Sequence, residues 1–304
     1  MQSVPYIWMN GEMVGWEDAN VHVLTHALHY GTSVFEGVRA YATDKGPAVF
    51  RLEEHMERLV SGCKAYQIPM EYTPAELSSA VTELIRVNEL PSAYIRPIAF
   101  RGLGAIGLNP TNAAVVVAIA AWEWGAYLGE EALREGISVG VSSWRRIDQQ
   151  SLLPNSKGGG AYLNSILARL EAEAGGFDEA LLLNDRGFLA EGSGENLFLI
   201  RRGVVYTPPS YSGVLPGITR HSVVTLLREA GIEVVETSLT RSDAYAAEEA
   251  FFTGTAAEVT PIRMIDNRPV GDGKPGPITQ QAQTMYMEAV TGKNADHADW
   301  LTIV

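Results

Sequence analysis

The run AAVVVAIAAW, residues 113–122, sets the first limit on the fold. It is about half as long as a helix that crosses a bilayer. Its three consecutive valines favour the extended chain. The run reads as a buried strand. Around it, strand and helix patterns mix without strict alternation. YIWMNGEMV is strand-like, with the hairpin signal Asn10-Gly11 at its middle. AVFRLEEHMERLVSGCKAY gives a short strand and then a helix with Leu52, Met56, Leu59, Val60 and Cys63 on one stripe. Thr73-Pro74 opens an amphipathic helix over TPAELSSAVTELIRVNEL, and AYIRPIAFRG is a further strand. Later strands are expected at ISVGVSSW, DEALLLND, NLFLIRRGVVYTPP and EAFFTGTA, and helices at AYLNSILARLEAEAG and GITRHSVVTLLREAGI. The pattern predicts an α+β (mixed α/β) fold of two domains, 1–122 and 137–304, joined by the connection 123–136.

Composition narrows the function classes. The 304 residues are 46% hydrophobic and 19% charged, as in ordinary globular proteins. A formal charge of −13 argues against a general nucleic-acid binder, which needs basic surface to release counterions. Cys63 is the single cysteine, so an internal disulfide and a cysteine zinc cluster are both excluded. The opening MQSVPYIWMN lacks the charged segment and apolar run of a signal peptide, and a cytoplasmic protein is expected.

His22, His26 and His29 stand at i, i+4 and i+7, one face of a helix if the segment is helical. No carboxylate ligand accompanies them, so packing is the simpler reading and no metal is expected. SKGGGAYLNS places Lys157 before its glycines and has no Ser or Thr directly after the lysine, the reverse of a phosphate loop. Only five of the 23 basic residues are lysine, and lysine, unlike arginine, can deprotonate and attack a carbonyl. A nucleophile and a solvent lysine in a loose loop both remain open on this pattern. AEGSGENLF sets Glu191 before Gly192, Ser193 and Gly194, so that backbone can approach the carboxylate. LPGITR starts a helix at Gly217, Ile218 and Thr219, where free N–H groups suit an anion. TGTAAEVTP offers a second donor turn at Thr255 and Ala256, and Arg58 could join a phosphate site. An amine, a carboxylate and a phosphate cradle together suit pyridoxal phosphate.

In HALHYGTSVFEGVRAY, HMERL, AYIRP, SKGGGAYLNS, AEGSGENLF, LPGITR and TGTAAEVTPIR, taken in that order over residues 6 to 280, the chain resembles the branched-chain amino-acid aminotransferases of the fold-type IV class. The resemblance implies a smaller N-terminal α/β domain, a larger barrel-like C-terminal domain with helices, and pyridoxal 5′-phosphate as cofactor. It implies that Lys157 bonds the cofactor and moves the substrate proton, that Tyr162 binds the phenolic oxygen, and that Glu191 faces the ring nitrogen. Arg58, Ile218, Thr219 and Thr255 would hold the phosphate. Thr255, Ala256 and Tyr94 would take the substrate carboxylate. Tyr30, Phe35 and Trp124 would line an apolar pocket, with Arg96 for a distal carboxylate. The reaction implied is ping-pong transamination of leucine, isoleucine and valine with 2-oxoglutarate, in at least a homodimer. D-Amino-acid aminotransferases and 4-amino-4-deoxychorismate lyases share the fold type and are the alternatives. Ile106-Gly107-Leu108 departs from the pattern of many bacterial relatives and leaves the preference among the three substrates open. The three glycines after Lys157 are expected to leave room for cofactor and substrate.

Overall fold

A computed structural model of the protein describes residues 3–104, 106–125 and 129–304. It divides into two compact units. The first comprises residues 1–124, 156–161 and 289–304, and the second residues 125–155 and 162–288. Of the expected connection 123–136, residues 126–128 lie outside the described residues, and Glu130–Glu135 forms a short helix.

In the first unit, strands β1 (Tyr6–Met9), β2 (Glu12–Gly15), β3 (Ser33–Phe35), β4 (Val38–Thr43), β5 (Gly46–Phe50), β6 (Ala93–Arg101) and β7 (Val115–Trp122) join a C-terminal strand, Leu301–Ile303. The order is Leu301–Ile303, β5, β4, β6, β7, β1, β2, with β3 also on β6. The valine-rich run occupies β7, inside the sheet, paired from Tyr94 opposite Trp122 to Arg101 opposite Val115. Asn10 and Gly11 both take positive φ, 50° and 95°, the type I′ geometry that matches strand twist. The Asn10 side chain also accepts the Val117 N–H at 2.9 Å, tying the turn to β7.

Helix α1 spans His26–Tyr30, α2 Leu52–Ala65 and α3 Pro74–Val87. The Thr73 hydroxyl accepts the Glu76 N–H and the Glu76 carboxylate accepts the Thr73 N–H, so α3 starts on a capping box. The buried stripe of α2 is Leu52, His55, Met56, Leu59, Gly62 and Cys63. His55 takes a core position there, and Val60 is only half-buried. The reason is a buried carboxylate opposite His55, described below.

The second unit contains α4 (Glu130–Glu135), β8 (Ile137–Arg145), α5 (Tyr162–Ala174), β9 (Glu179–Leu183), β10 (Leu189–Gly192), β11 (Asn196–Arg201) and β12 (Val204–Thr207). After these come α6 (Ile218–Glu229), β13 (Val234–Glu236), α7 (Arg241–Tyr245), β14 (Glu249–Gly254), β15 (Glu258–Ile265), β16 (Arg268–Pro269) and α8 (Pro277–Val290). The sheet runs β10, β9, β8, β15, β14, β11, β12, β13. Because β10 also pairs with β11, its first six strands close into a ring. Ile137, Val139, Leu181, Leu197, Phe252 and Ile262 are among the residues of its core. The segment expected as one strand, NLFLIRRGVVYTPP, is two. Arg202 and Gly203 turn the chain at φ 53° and 76°, and β11 and β12 pair as a hairpin.

Glu249 sits buried at the start of α8. Its Oε2 accepts the Thr279 N–H at 2.8 Å and the Thr279 hydroxyl at 2.7 Å, and Oε1 accepts the Ile278 N–H at 3.2 Å. These bonds satisfy donors that the first helical turn cannot satisfy itself. Glu249→Ala is expected to cost about 2 kcal/mol. A lowered thermal midpoint in calorimetry checks this, and an unchanged midpoint would show that the cap contributes nothing.

Candidate active site

Lys157, in the first unit, is fixed by its backbone. The Phe35 N–H donates to Lys157 O at 3.1 Å, Val34 and Gly158 form an antiparallel bridge, and the Gly160 N–H donates to Gly31 O at 3.1 Å. The glycines serve this contact. A Cβ on Gly158 would lie 2.9 Å from the Tyr66 ring, one on Gly159 would overlap the Ser33 hydroxyl, and one on Gly160 would lie 3.3 Å from Gly31 O. The expectation that they leave space for ligands is corrected. That space is filled by this unit's own residues.

So anchored, Lys157 Nζ stands 5.3 Å from the centre of the Phe35 ring. The Arg96 guanidinium lies 4.7 Å from the same ring and donates from Nη2 to the Tyr94 hydroxyl at 2.8 Å. Arg96 Nε is buried and makes no hydrogen bond. Tyr94 meets Trp124 edge-on at 4.7 Å and Trp122 at 5.2 Å. Lys157, Phe35, Arg96, Tyr94 and Trp124 therefore form one connected group. Tyr30 ends α1, with its ring 4.6 Å from His26.

The three histidines do not share a helical face, because α1 begins only at His26. His26 Nε2 donates to Gly107 O at 2.7 Å, and its Nδ1 accepts from the Thr32 hydroxyl at 2.8 Å. His29 Nε2 donates to Val23 O, and His22 Nδ1 accepts the Leu24 N–H. They hold turns. No group of three metal-ligating side chains occurs among the described residues.

Arg58 is paired with a carboxylate that the sequence reading did not single out. Its Nε donates to Glu36 Oε1 at 2.6 Å and its Nη2 to Glu36 Oε2 at 2.9 Å, and His55 Nδ1 donates to the same Oε2 at 2.8 Å. Burial alone would raise the Glu36 carboxyl, but the Arg58 charge and the bonds from His55 and Arg58 hold it well below the usual carboxylate range.

In the second unit Glu191 is buried between a cation, a backbone N–H and a side-chain amide. Arg146 Nε lies 2.6 Å from Oε1, an ion pair without an aligned hydrogen bond. Oε2 accepts the Leu215 N–H at 3.0 Å and Asn196 Nδ2 at 3.3 Å. Asn196 Nδ2 also donates to Leu215 O at 2.9 Å, so one side chain ties Glu191 to the loop that leads into α6. The N-cap of α6 is Gly217, and no side chain caps the helix. A Cβ there would overlap Asn196 Oδ1. Thr219 is buried in the first turn of α6. Thr255 and Ala256 form the turn between β14 and β15, and Gly254 beside them packs close to Gly194 O. The Thr253 hydroxyl, opposite Asn196 in register, is buried and without a hydrogen-bond partner. Glu191, the start of α6 and the 255–256 turn are thus brought together within this unit. Tyr162 opens α5, which packs on β8 and β9.

Each unit by itself supplies part of what a pyridoxal cofactor needs: the first a lysine set by its backbone, the second a carboxylate held against a cation, an uncapped helix start and an orphaned hydroxyl. Residues 33–265 match the family model for aminotransferase class IV, and the chain belongs to that family. It is 50% identical to a branched-chain-amino-acid aminotransferase of Pseudomonas aeruginosa over 98% of this chain and 97% of that protein. The crystal structure of the Escherichia coli branched-chain aminotransferase superposes with a TM-score of 0.96 at 49% identity, covering 98% of this chain and 99% of that one. The branched-chain aminotransferase from Thermobaculum terrenum, solved in its PLP form, reaches 0.93 at 36% identity, covering 99% of each chain. The architecture is fold-type IV, the enzyme class is branched-chain-amino-acid aminotransferase, and the cofactor is pyridoxal 5′-phosphate.

Arg146, Asn196, Glu36 and His55 were not singled out in the sequence. Glu36 and His55 lie within the resembling segments, but nothing in their local pattern marks their pairing with Arg58. Glu195, beside Glu191 in the hairpin, is buried and accepts the Gly194 N–H at 3.0 Å. Burial pushes its carboxyl up to about 8, with Glu179 and Glu191 adding to the rise and the Gly194 N–H and Arg169 opposing it. The folded state therefore keeps a proton that the unfolded chain releases near 4.5, so this group's contribution to stability falls as pH rises from there to about 8. Glu195→Gln is expected to flatten that fall. Unfolding midpoints measured from about pH 5 to about pH 8 check it, and an unaltered slope would show that Glu195 is ionised in the fold.

Proposed function

We propose that the protein transaminates L-leucine, L-isoleucine and L-valine with 2-oxoglutarate by a ping-pong reaction, giving branched-chain 2-oxo acids and L-glutamate. The observation that carries this reading is Arg96: a half-buried arginine with a buried, unbonded Nε, its guanidinium over the aromatic ring that also faces Lys157. An aromatic wall with an arginine at its edge accepts a leucine side chain without burying a new charge, and meets the distal carboxylate of glutamate when that substrate is bound.

Pyridoxal 5′-phosphate, when bound, supplies a ring that withdraws electrons from the substrate α-carbon. Lys157 Nζ would hold the cofactor covalently and would carry the proton at that carbon. Glu191 would face the ring nitrogen and keep a proton there, with Arg146 keeping the carboxylate in place. Tyr162 would bind the phenolic oxygen. Arg58, the Ile218 and Thr219 N–H groups and Thr255 would hold the phosphate. Tyr94 with Thr255 and Ala256 receives the α-carboxylate, while Tyr30, Phe35 and Trp124 line the side-chain pocket. Exposed Val23, Leu28 and Leu108 support a homodimer or higher homo-oligomer, since such side chains are commonly covered by a partner. We place the enzyme in the cytoplasm, consistent with a buried free thiol at Cys63.

Lys157→Ala should abolish the visible absorbance of lysine-bound cofactor and lower kcat by about a thousand-fold or more. Persistence of that absorbance would refute the assignment. Arg96→Ala should slow the glutamate half-reaction by about ten-fold more than the leucine half-reaction in single-turnover measurements, the cost of one charge-assisted hydrogen bond. Equal losses would assign Arg96 a structural role.

A further inference from the structure

Glu36 is fully buried and ionised, an expensive group for a core that apolar residues could fill. Its placement links two features of the site. It follows Phe35 directly in the chain, its N–H donates to Pro97 O at 2.8 Å, and its carboxylate grips the Nε and Nη2 donors of Arg58. His55, one turn before Arg58 on α2, holds the second oxygen from the other side. Both Glu36 and His55 are almost wholly buried, whereas the Arg58 side chain retains 13% exposure. The arginine therefore reaches outward from a base that cannot turn.

A planar guanidinium binds phosphate by direction, through a fork whose plane must be set beforehand. We propose that Glu36 and His55 are positioning residues for the cofactor phosphate, fixing the plane of Arg58 and registering it to the Phe35 ring beside Lys157. The inference rests on the reading of Arg58 as a phosphate ligand. Charge alone makes the opposite demand: a carboxylate beside an anion site repels the anion, so a Glu36 present only to neutralise Arg58 would weaken phosphate binding. Burial lowers the His55 imidazole, Glu36 opposes this, and Arg58 and Lys157 add to the lowering, so the ring is neutral and donates its Nδ1 proton to Glu36. The carboxylate thus has two donors that keep it aligned.

The test compares Glu36→Gln, His55→Gln and Arg58→Gln in the full-length protein freed of cofactor. Pyridoxal 5′-phosphate is titrated by visible absorbance, and inorganic phosphate by the rise it causes in the thermal midpoint. Glu36→Gln and His55→Gln are expected to raise Kd for both ligands by about ten-fold, the cost of misdirecting one charge-assisted hydrogen bond. Arg58→Gln should weaken both at least as much. If Glu36→Gln binds either ligand as tightly as the unsubstituted protein or more tightly, Glu36 only balances charge and the proposal fails. A lowered ligand-free midpoint with both Kd values unchanged overturns it equally. Should Glu36→Gln not fold, His55→Gln alone decides, on the same readouts. Unchanged binding by Arg58→Gln refutes instead the phosphate role of Arg58, a result distinct from either of these.

Discussion

The close approach of two backbones, Gly31 to Gly160, is the contact on which the first unit's chemistry depends. A Cβ on Gly31 would stand 2.7 Å from Gly160 Cα, and the Gly160 N–H reaches Gly31 O directly. Through that contact the segment 156–161 lies against β3, more than a hundred residues away in the chain. The backbone alone already fixes where the lysine stands. Its carbonyl takes the Phe35 N–H, and its amine stands beside the Phe35 ring. Close-packed interiors make such placement sharp, because a neighbour that cannot move cannot blur the position of what rests on it.

Each unit also holds a largely buried arginine–carboxylate pair: Arg58 with Glu36 in the first, Arg146 with Glu191 in the second. Buried pairs of this kind contribute little net stability, because desolvation offsets most of the attraction. Their value lies in geometry and charge. In the roles proposed here, the carboxylate of the first pair is the support and the arginine the working group. In the second the proposed roles are exchanged, and the arginine supports the carboxylate.

Local features were the ones legible in the sequence. Asn10-Gly11 turned as its residue types require, Thr73-Pro74 with Glu76 started α3, and the valine run became β7. These signals sit within a few residues of what they decide. Arg202-Gly203 makes the same kind of turn as Asn10-Gly11, but arginine carries no preference for positive φ, and the break between β11 and β12 was hidden. The histidine spacing fitted a helix, yet helical geometry starts only at His26, so the period had nothing to act on. Arg146 and Glu191 are 45 residues apart, and Glu36 and Arg58 are 22 apart on different elements. No period or cap links such partners, and only the folded chain shows that they meet. Three glycines after Lys157 suggest open space in the sequence, whereas in the fold Tyr66, Ser33 and Gly31 occupy the space beside them.

Asn196 and Gly217 carry a consequence for how this enzyme can vary. The asparagine amide fills the place that any side chain at 217 would occupy, and the same amide binds both Glu191 and the carbonyl of Leu215. The start of α6 and the buried carboxylate are therefore not independent positions for selection. A lineage that replaced Gly217 to tune one end of the site would disturb the other in the same step, so the two residues must change together or stay as they are.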